Sequence, residues 1–155
     1  MTFAVVRVRG TIKVKPEIKE TLRLLRLNRV NHCVMIPETA EFKGMLQKAK
    51  DYITWGEIDP ASAERLFKER CEVLGGTRLS DGFIKKNTPL KDIKELSVAV
   101  SEGTFDHRKV EGINPVFRLA PPKKGGYEGI KRAYSVGGAL GYRSKDINKL
   151  LERMI

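Results

Sequence analysis

The stretch from Phe3 to Ile36, FAVVRVRGTIKVKPEIKETLRLLRLNRVNHCVMI, constrains the fold more than any other part of the chain. It reads as strand, basic turn, amphipathic helix, basic turn, strand. Phe3 to Val8 is β-branched or aromatic except at Ala4 and Arg7, and Gly10 breaks it. Pro16 fits a first helical position, where a missing N–H leaves no bond unmade, and Glu17 and Glu20 suit the positive end of the helix dipole. Ile18, Leu22 and Leu25 recur at i, i+4, i+7, which predicts one buried face.

The other side of this helix carries Lys15, Lys19, Arg23 and Arg26 at i, i+4, i+8, i+11, a single cationic stripe. Arg7 and Arg9 join it from the strand, Lys13 from the turn, and Arg29 and His32 from beside the second strand. A solvated helix face explains a lone basic stripe. It does not explain the whole unit, in which Glu17 and Glu20 are the only acids before Pro37, against eight Lys and Arg. The imbalance points to a polyanion, with nucleic acid the leading class.

The net charge of +11 is uneven. Residues 1–58 hold 11 Lys and Arg against 6 acids, residues 59–117 hold 10 against 10, and residues 118–155 hold 9 against 3. Two basic ends flanking a neutral middle suggest two separate contact surfaces joined by a packing segment. The apolar share of 41% supports a real core. No apolar run approaches the roughly 18 residues that cross a bilayer, and the N-terminus has no signal-peptide pattern. A soluble, intracellular protein is expected.

After the opening unit, Pro37 stops the second strand and Thr39 caps a second helix with Phe42, Met45, Leu46 and Ala49 on its core face. Gly44 inside that helix suggests close packing of another backbone, since it costs about 1 kcal/mol against Ala. Tyr52 to Ile58 has strand composition, so residues 1–58 form a β-α-β-α-β unit of the α+β class. Asp59-Pro60 starts a third helix buried through Ala63, Leu66, Phe67 and Leu74 and ended by Gly75-Gly76. Thr88-Pro89 repeats the start signal before Leu90, Ile93 and Leu96, and that segment runs out near Gly103. Residues 59–117 are expected to be a helical packing extension.

Residues 118–155 change character. Pro121-Pro122-Lys123-Lys124-Gly125-Gly126 opens a Gly- and Lys-rich loop that continues through Lys131, Arg132 and Gly137-Gly138 to Arg143. Glycine lets backbone approach a phosphate or a base closely, and the loop has little to bury, so a mobile loop able to meet a polyanion is expected. Ser144 is placed to cap a final helix that docks through Ile147, Leu150, Leu151 and Met154. Tyr127 and Tyr134 sit among cations, as base-stacking aromatics do, but serve packing more often; Trp55 reads as core.

Other chemistries find no support. There is no G-x-x-x-x-G-K-[ST] loop. Gly126-Tyr127-Glu128-Gly129 and Gly138-Ala139-Leu140-Gly141 match the G-x-x-G clamp of KH domains but lack its flanking helix pair. Cys33 and Cys71 are far apart, have no zinc-ligand spacing with His32 or His107, and read as buried free thiols. His32 has no acid nearby to orient it, and His107 falls in a polar loop where exposure is the default.

The residues VNHCVMIPETAEFKGMLQKAKDYITWGEI, Val30 to Ile58, strongly resemble the large-subunit ribosomal protein family numbered thirty, whose eukaryotic relatives carry the number seven. The short bacterial form is similar to about the first 58 residues only. Phe117-Arg118-Leu119 leading into PPKKGG, and GGALGYRSKDINKLLERMI, resemble the tail of archaeal and eukaryotic members. The resemblance is weakest between Thr77 and Pro115, and the lack of a long basic N-terminal arm favours an archaeal source. It implies a three-stranded antiparallel sheet with the first strand in the middle, similar to part of a ferredoxin-like fold, plus a mostly helical C-terminal extension. It also implies a structural component that binds large-subunit ribosomal RNA beside neighbouring ribosomal proteins on the cytoplasmic ribosome, with no catalytic activity, cofactor, metal or small-molecule substrate. By the same implication the positions from Lys13 to Arg29 lie on RNA, and the Lys123–Arg143 loop is a second contact, with the small 5S ribosomal RNA as its candidate partner.

Two alternatives compete with this reading. A free-standing RNA-binding regulator reusing the fold would wash off large subunits at high salt. A small ferredoxin-like enzyme would use the basic turn as an anion pocket, and would fail to crosslink to RNA in cells.

Overall fold

All six residues of β1 (Thr2–Arg7) are buried. Successive side chains of a strand point to opposite faces, so a strand buried throughout must be covered on both sides and flanked by other strands. The computed structural model, which describes residues 1–155, places it so. β1 is the centre of a five-stranded sheet in the order β4-β2-β1-β3-β5, where β2 is His32–Pro37, β3 Ile53–Glu57, β4 Val116–Arg118 and β5 Gly141–Tyr142. The three-stranded antiparallel sheet β2-β1-β3 expected from the family resemblance is present, and the sheet is larger than that expectation. β4 pairs antiparallel with β2, and β5 runs parallel to β3. Strands of three and two residues are too short to leave a periodic signal.

One face of the sheet packs Phe3, Val5, Val34, Ile36, Ile53 and Trp55 against Leu22, Leu25 and Leu27 and against Leu46 and Ala49. These belong to α1 (Pro16–Leu24) with the turn after it, and to α2 (Ala40–Lys48) with its C-cap residue. The other face packs Ala4, Val6, Cys33 and Met35 against α3 (Pro60–Glu69), α5 (Ile93–Glu102) and α6 (Ile147–Met154). That second core takes side chains from all three of the segments 1–58, 59–117 and 118–155. Cys33 and Cys71 are buried in it as free thiols, and burial pushes both up to about 12. No helix is long and apolar enough to cross a membrane.

Several element ends differ from the sequence reading, each for a local reason. α1 stops at Leu24 because Arg26 turns left-handed (φ 62°). The Leu27 N–H then reaches back to the Leu22 carbonyl and the Arg26 N–H to Arg23, both at 2.9 Å, which is a Schellman closure. Thr39 caps α2 as expected, accepting from the Phe42 N–H at 3.3 Å, but Gly44 faces open space and no backbone packs on it. Asp59 caps α3, which ends at Glu69; Leu74 is 81% exposed, and Gly75-Gly76 turn a small hairpin instead.

Further along, Ser80 caps α4 (Asp81–Asn87), a helix that the sequence reading does not contain. Asp92, rather than Thr88, caps α5. Ser144 does not cap α6: it has φ 52°, and its carbonyl lies where a Cβ on Gly56 would be, 1.9 Å away. Gly56 is the position where close backbone approach does require glycine. The docking face of α6 is as expected, with Ile147, Leu150, Leu151 and Met154 all buried. His107 is buried, not exposed. It lies between Phe67 and Phe117, ring centroids 5.4 and 6.0 Å away, and desolvation pushes it down to about 4.

Candidate nucleic-acid interface

The strand registers bring the two basic ends of the chain to one edge of the sheet. His32 pairs with Arg118, Arg7 with Ile53, and Thr54 with Gly141, so the end of β1, the starts of β2, β3 and β5 and the end of β4 lie side by side. The segments that join strands at this edge are 8–15, 25–31, 49–52 and 119–140. Together they carry ten Lys and Arg and only two acids, Asp51 and Glu128. At the opposite edge the short connections 38–39, 58–59 and 143–146 carry the acids Glu38, Asp59 and Asp146 and the cations Arg143 and Lys145. The excess of cations is therefore concentrated at the first of these two edges. The expected pair of separate basic surfaces is replaced by contiguous ones: Val8 packs with Ala139 and Leu140, and Tyr127 packs beside them.

The candidate residues divide by environment. Lys13, Lys15, Lys19, Arg26 and Arg29 are exposed and take part in no ion pair. Arg23 is exposed but paired with Glu20 one helical turn away. Lys15 precedes α1 and Arg26 follows it, so only Lys19 and Arg23 of the stripe lie on the helix itself. Lys13 and Arg26 hold left-handed backbone, φ 57° and 62°, a strained conformation for residues with a Cβ. Arg9 is half-buried, 5.2 Å from the Tyr52 ring, and keeps its cation at the edge.

Arg7 is not a surface contact. It is 2% exposed and donates to the carbonyls of Leu27 (2.7 Å) and Arg9 (2.9 Å), so it braces the turn after α1. One of its terminal nitrogens and Nδ1 of His32 are buried without a partner. Burial, followed by the Arg118, Arg29 and Arg7 guanidiniums, pushes His32 below the usual imidazole range. The shift favours the neutral imidazole of His32 over its cation.

At the second end Lys123, Lys124, Lys131 and Arg132 are exposed. Their loop is not a chain with little to bury. It buries Ala139 and Leu140, and its Gly138 lies against the Arg132 carbonyl, 2.0 Å from where a Cβ would be. Arg153 of α6 donates to the carbonyls of Lys123 (2.9 Å) and Gly126 (2.6 Å), which clamps the loop. Arg143 is buried, 4.7 Å from the Tyr134 ring, and donates to Thr54 Oγ1 and the Ala139 carbonyl. Desolvation lowers its pKa. Tyr134 is partly exposed beneath it, whereas Trp55 is core.

Sequence reasoning missed Arg118 and Arg153. Arg118 reaches the edge only through the three-residue β4, and Arg153 acts through carbonyls that no spacing rule locates. No group of His, Cys, Asp or Glu is placed to hold a metal ion. The largest cavity, about 760 Å³, lies at the opposite edge, where Glu57, Asp59 and Glu152 share its walls with Arg65, Lys145 and Lys149.

Residues 3–53 match the family described as Ribosomal protein L30p/L7e. The chain is 47% identical to the large ribosomal subunit protein uL30 of Methanosphaera stadtmanae, over 99% of both chains. It is also 47% identical to the protein of that name from Methanococcus maripaludis over the full length of both, and to that from Thermoplasma volcanium over 99% of this chain and 92% of the relative. Full-length identity at this level extends well past the β-α-β-α-β unit, and the chain belongs to the L30p/L7e family of ribosomal proteins.

Proposed function

We propose that the chain is a structural constituent of the large ribosomal subunit, without catalytic activity, and that it binds ribosomal RNA through the cation-bearing edge of its sheet. The convergence of the strand ends carries this reading, because it gathers cations from both ends of the sequence where family likeness alone gives no geometry. Lys13, Lys15, Lys19, Arg26 and Arg29, joined by Arg9 and Arg118, contact backbone phosphates, and Lys123, Lys124, Lys131 and Arg132 extend the same footprint. Phosphate contacts set register on a folded RNA and outnumber base-edge contacts. The loop at 119–140 is assigned to the small 5S ribosomal RNA. The opposite edge, with Glu38 and Asp59, is left for neighbouring ribosomal proteins.

Co-sedimentation tests the assignment. The protein is expected to stay with large subunits through a high-salt wash, whereas a free regulator is released. In-cell RNA crosslinking with peptide mapping should recover peptides from 8–15, 25–31 and 119–140. Crosslinks confined to the opposite edge would overturn the proposed face.

A further inference from the structure

A cavity of about 200 Å³ lies between the Gly-rich loop and α6, walled by the cations Arg143, Lys149 and Arg153, the tyrosines Tyr127 and Tyr134, and the acids Glu128 and Asp146. Arg143 is only 9% exposed yet has no carboxylate partner. A buried guanidinium without a counter-charge is costly, and such charges are ordinarily paired. Its bonds to Thr54 and Ala139 account for two of its three nitrogens. Arg153 also lacks an acid, and the Asp146 carboxylate is already taken by the Tyr134 hydroxyl and, at 3.3 Å, by Lys149.

Tyr127 and Glu128 of the adjoining turn form part of one wall and add donors. None of the backbone N–H groups from Lys124 to Lys131 donates to a protein acceptor. Lys124, Gly125, Gly126, Glu128 and Gly129 all have positive φ within this run. Successive N–H groups in turned backbone form anion-binding concavities. The volume suits one tetrahedral oxyanion and falls below the roughly 300 Å³ at which small-molecule sites begin.

We propose that this cavity is a phosphate subsite that takes one backbone phosphate of the bound RNA, held by Arg143, Lys149 and the Tyr127 and Glu128 amides. The inference rests on the RNA-binding reading and gives it a specific pocket. Guanidinium suits the role because it presents paired N–H donors to phosphate oxygens.

The test uses the full-length, isotope-labelled protein. Sodium phosphate is titrated against sodium chloride at matched ionic strength, and the Arg143 Nε–H and the Tyr127 and Glu128 amides are followed by NMR. Phosphate should shift the three signals together and saturably, with one Kd. Equal shifts in chloride, or no saturation, overturn the subsite. A second arm measures binding of a large-subunit RNA fragment by Arg143→Gln, Lys149→Gln and Lys19→Gln. The first two should each lower the log–log salt slope by about 1. Lys149→Gln alters an exposed side chain, so it keeps the test open if Arg143→Gln lowers Tm. If only Lys19→Gln weakens binding, the subsite is wrong and RNA binding stands; if none does, RNA binding itself fails. Saturable phosphate shifts that the RNA fragment does not compete away would assign the pocket to free phosphate and overturn the RNA source.

Discussion

The Tyr127 hydroxyl donates to the side-chain oxygen of Asn31, across 96 positions of sequence. Asn31 has φ 68°; its N–H donates to the Arg7 carbonyl at 2.9 Å and its own carbonyl accepts from Leu119 at 3.2 Å. Asparagine tolerates this left-handed backbone better than other residues with a Cβ. One side chain therefore joins the end of β1, the chain leaving β4 and the Gly-rich loop. Tyr127→Phe should cost about 1 kcal/mol, a Tm drop of roughly 2–4 °C, and should speed proteolytic nicking in the loop. An unchanged Tm together with an unchanged cleavage pattern would show that this bond does not hold the two basic segments together.

Arg26 occupies the position after the α1 C-cap where glycine is the usual residue. Its Cβ makes the left-handed backbone costly, by about 1–2 kcal/mol. Arg26→Gly should therefore stabilise the isolated protein, by about 1 kcal/mol once the greater freedom of glycine in the unfolded chain is counted. The same change removes a cation and should weaken RNA binding. Opposite movements of Tm and affinity are the expected signature, and a fall in both would mean that the Arg26 side chain supports the fold.

What sequence could show divides along physical lines. The apolar faces of α1, α2 and α6 were legible because one side chain per turn must enter a core, and Leu22, Leu46 and Leu151 do. Caps with a hydroxyl or carboxylate before a helix were legible at Thr39 and Asp59. Arg26 misled because a cation at helical spacing says nothing about whether its own backbone is helical. Burial of Arg7 and Arg143 was illegible, since it depends on carbonyls contributed by Leu27 and Ala139 through tertiary packing. The convergence of both basic ends on one edge needed the registers of β4 and β5, whose few residues carry no period.

Burial makes His107 a pH-sensitive element of stability. Its folded value is pushed down to about 4, from an ordinary value of 6.5. Below pH 6.5 the unfolded chain binds a proton that the folded chain refuses until about pH 4. Stability is thus fully present above pH 6.5 and is lost as pH falls from 6.5 to 4, by up to about 3 kcal/mol. In His107→Phe this loss should disappear, while the contribution of His32, displaced in the same direction, remains in both proteins. Denaturant melts at pH 7 and pH 4.5 check it; equal losses for the two proteins would remove His107 from the account.

The last prediction separates cations that meet RNA from cations that hold the fold. Lys19 is exposed on α1 and takes part in no ion pair, whereas Arg7 is 2% exposed and bonded to two carbonyls. If Lys19 neutralises a phosphate, Lys19→Gln should lower the log–log salt slope by about 1 and weaken binding to different RNA sequences alike. Its Tm should stay within about 2 °C of the parent, since surface changes are worth about 0.5 kcal/mol or less. Arg7→Gln should behave in the reverse way. It removes two buried hydrogen bonds from a charged donor and should lower Tm clearly. At temperatures where the variant is folded, its salt slope should equal the parent's, because a guanidinium closed off from solvent releases no counterion on binding. Arg23, paired with Glu20, should fall between the two, since it must give up that partner before it meets a phosphate. Salt titrations of the three variants against one large-subunit RNA fragment read all of this. A lowered slope for Arg7→Gln with Tm unchanged would show that β1 opens at the interface and that the buried side chain is an RNA contact after all.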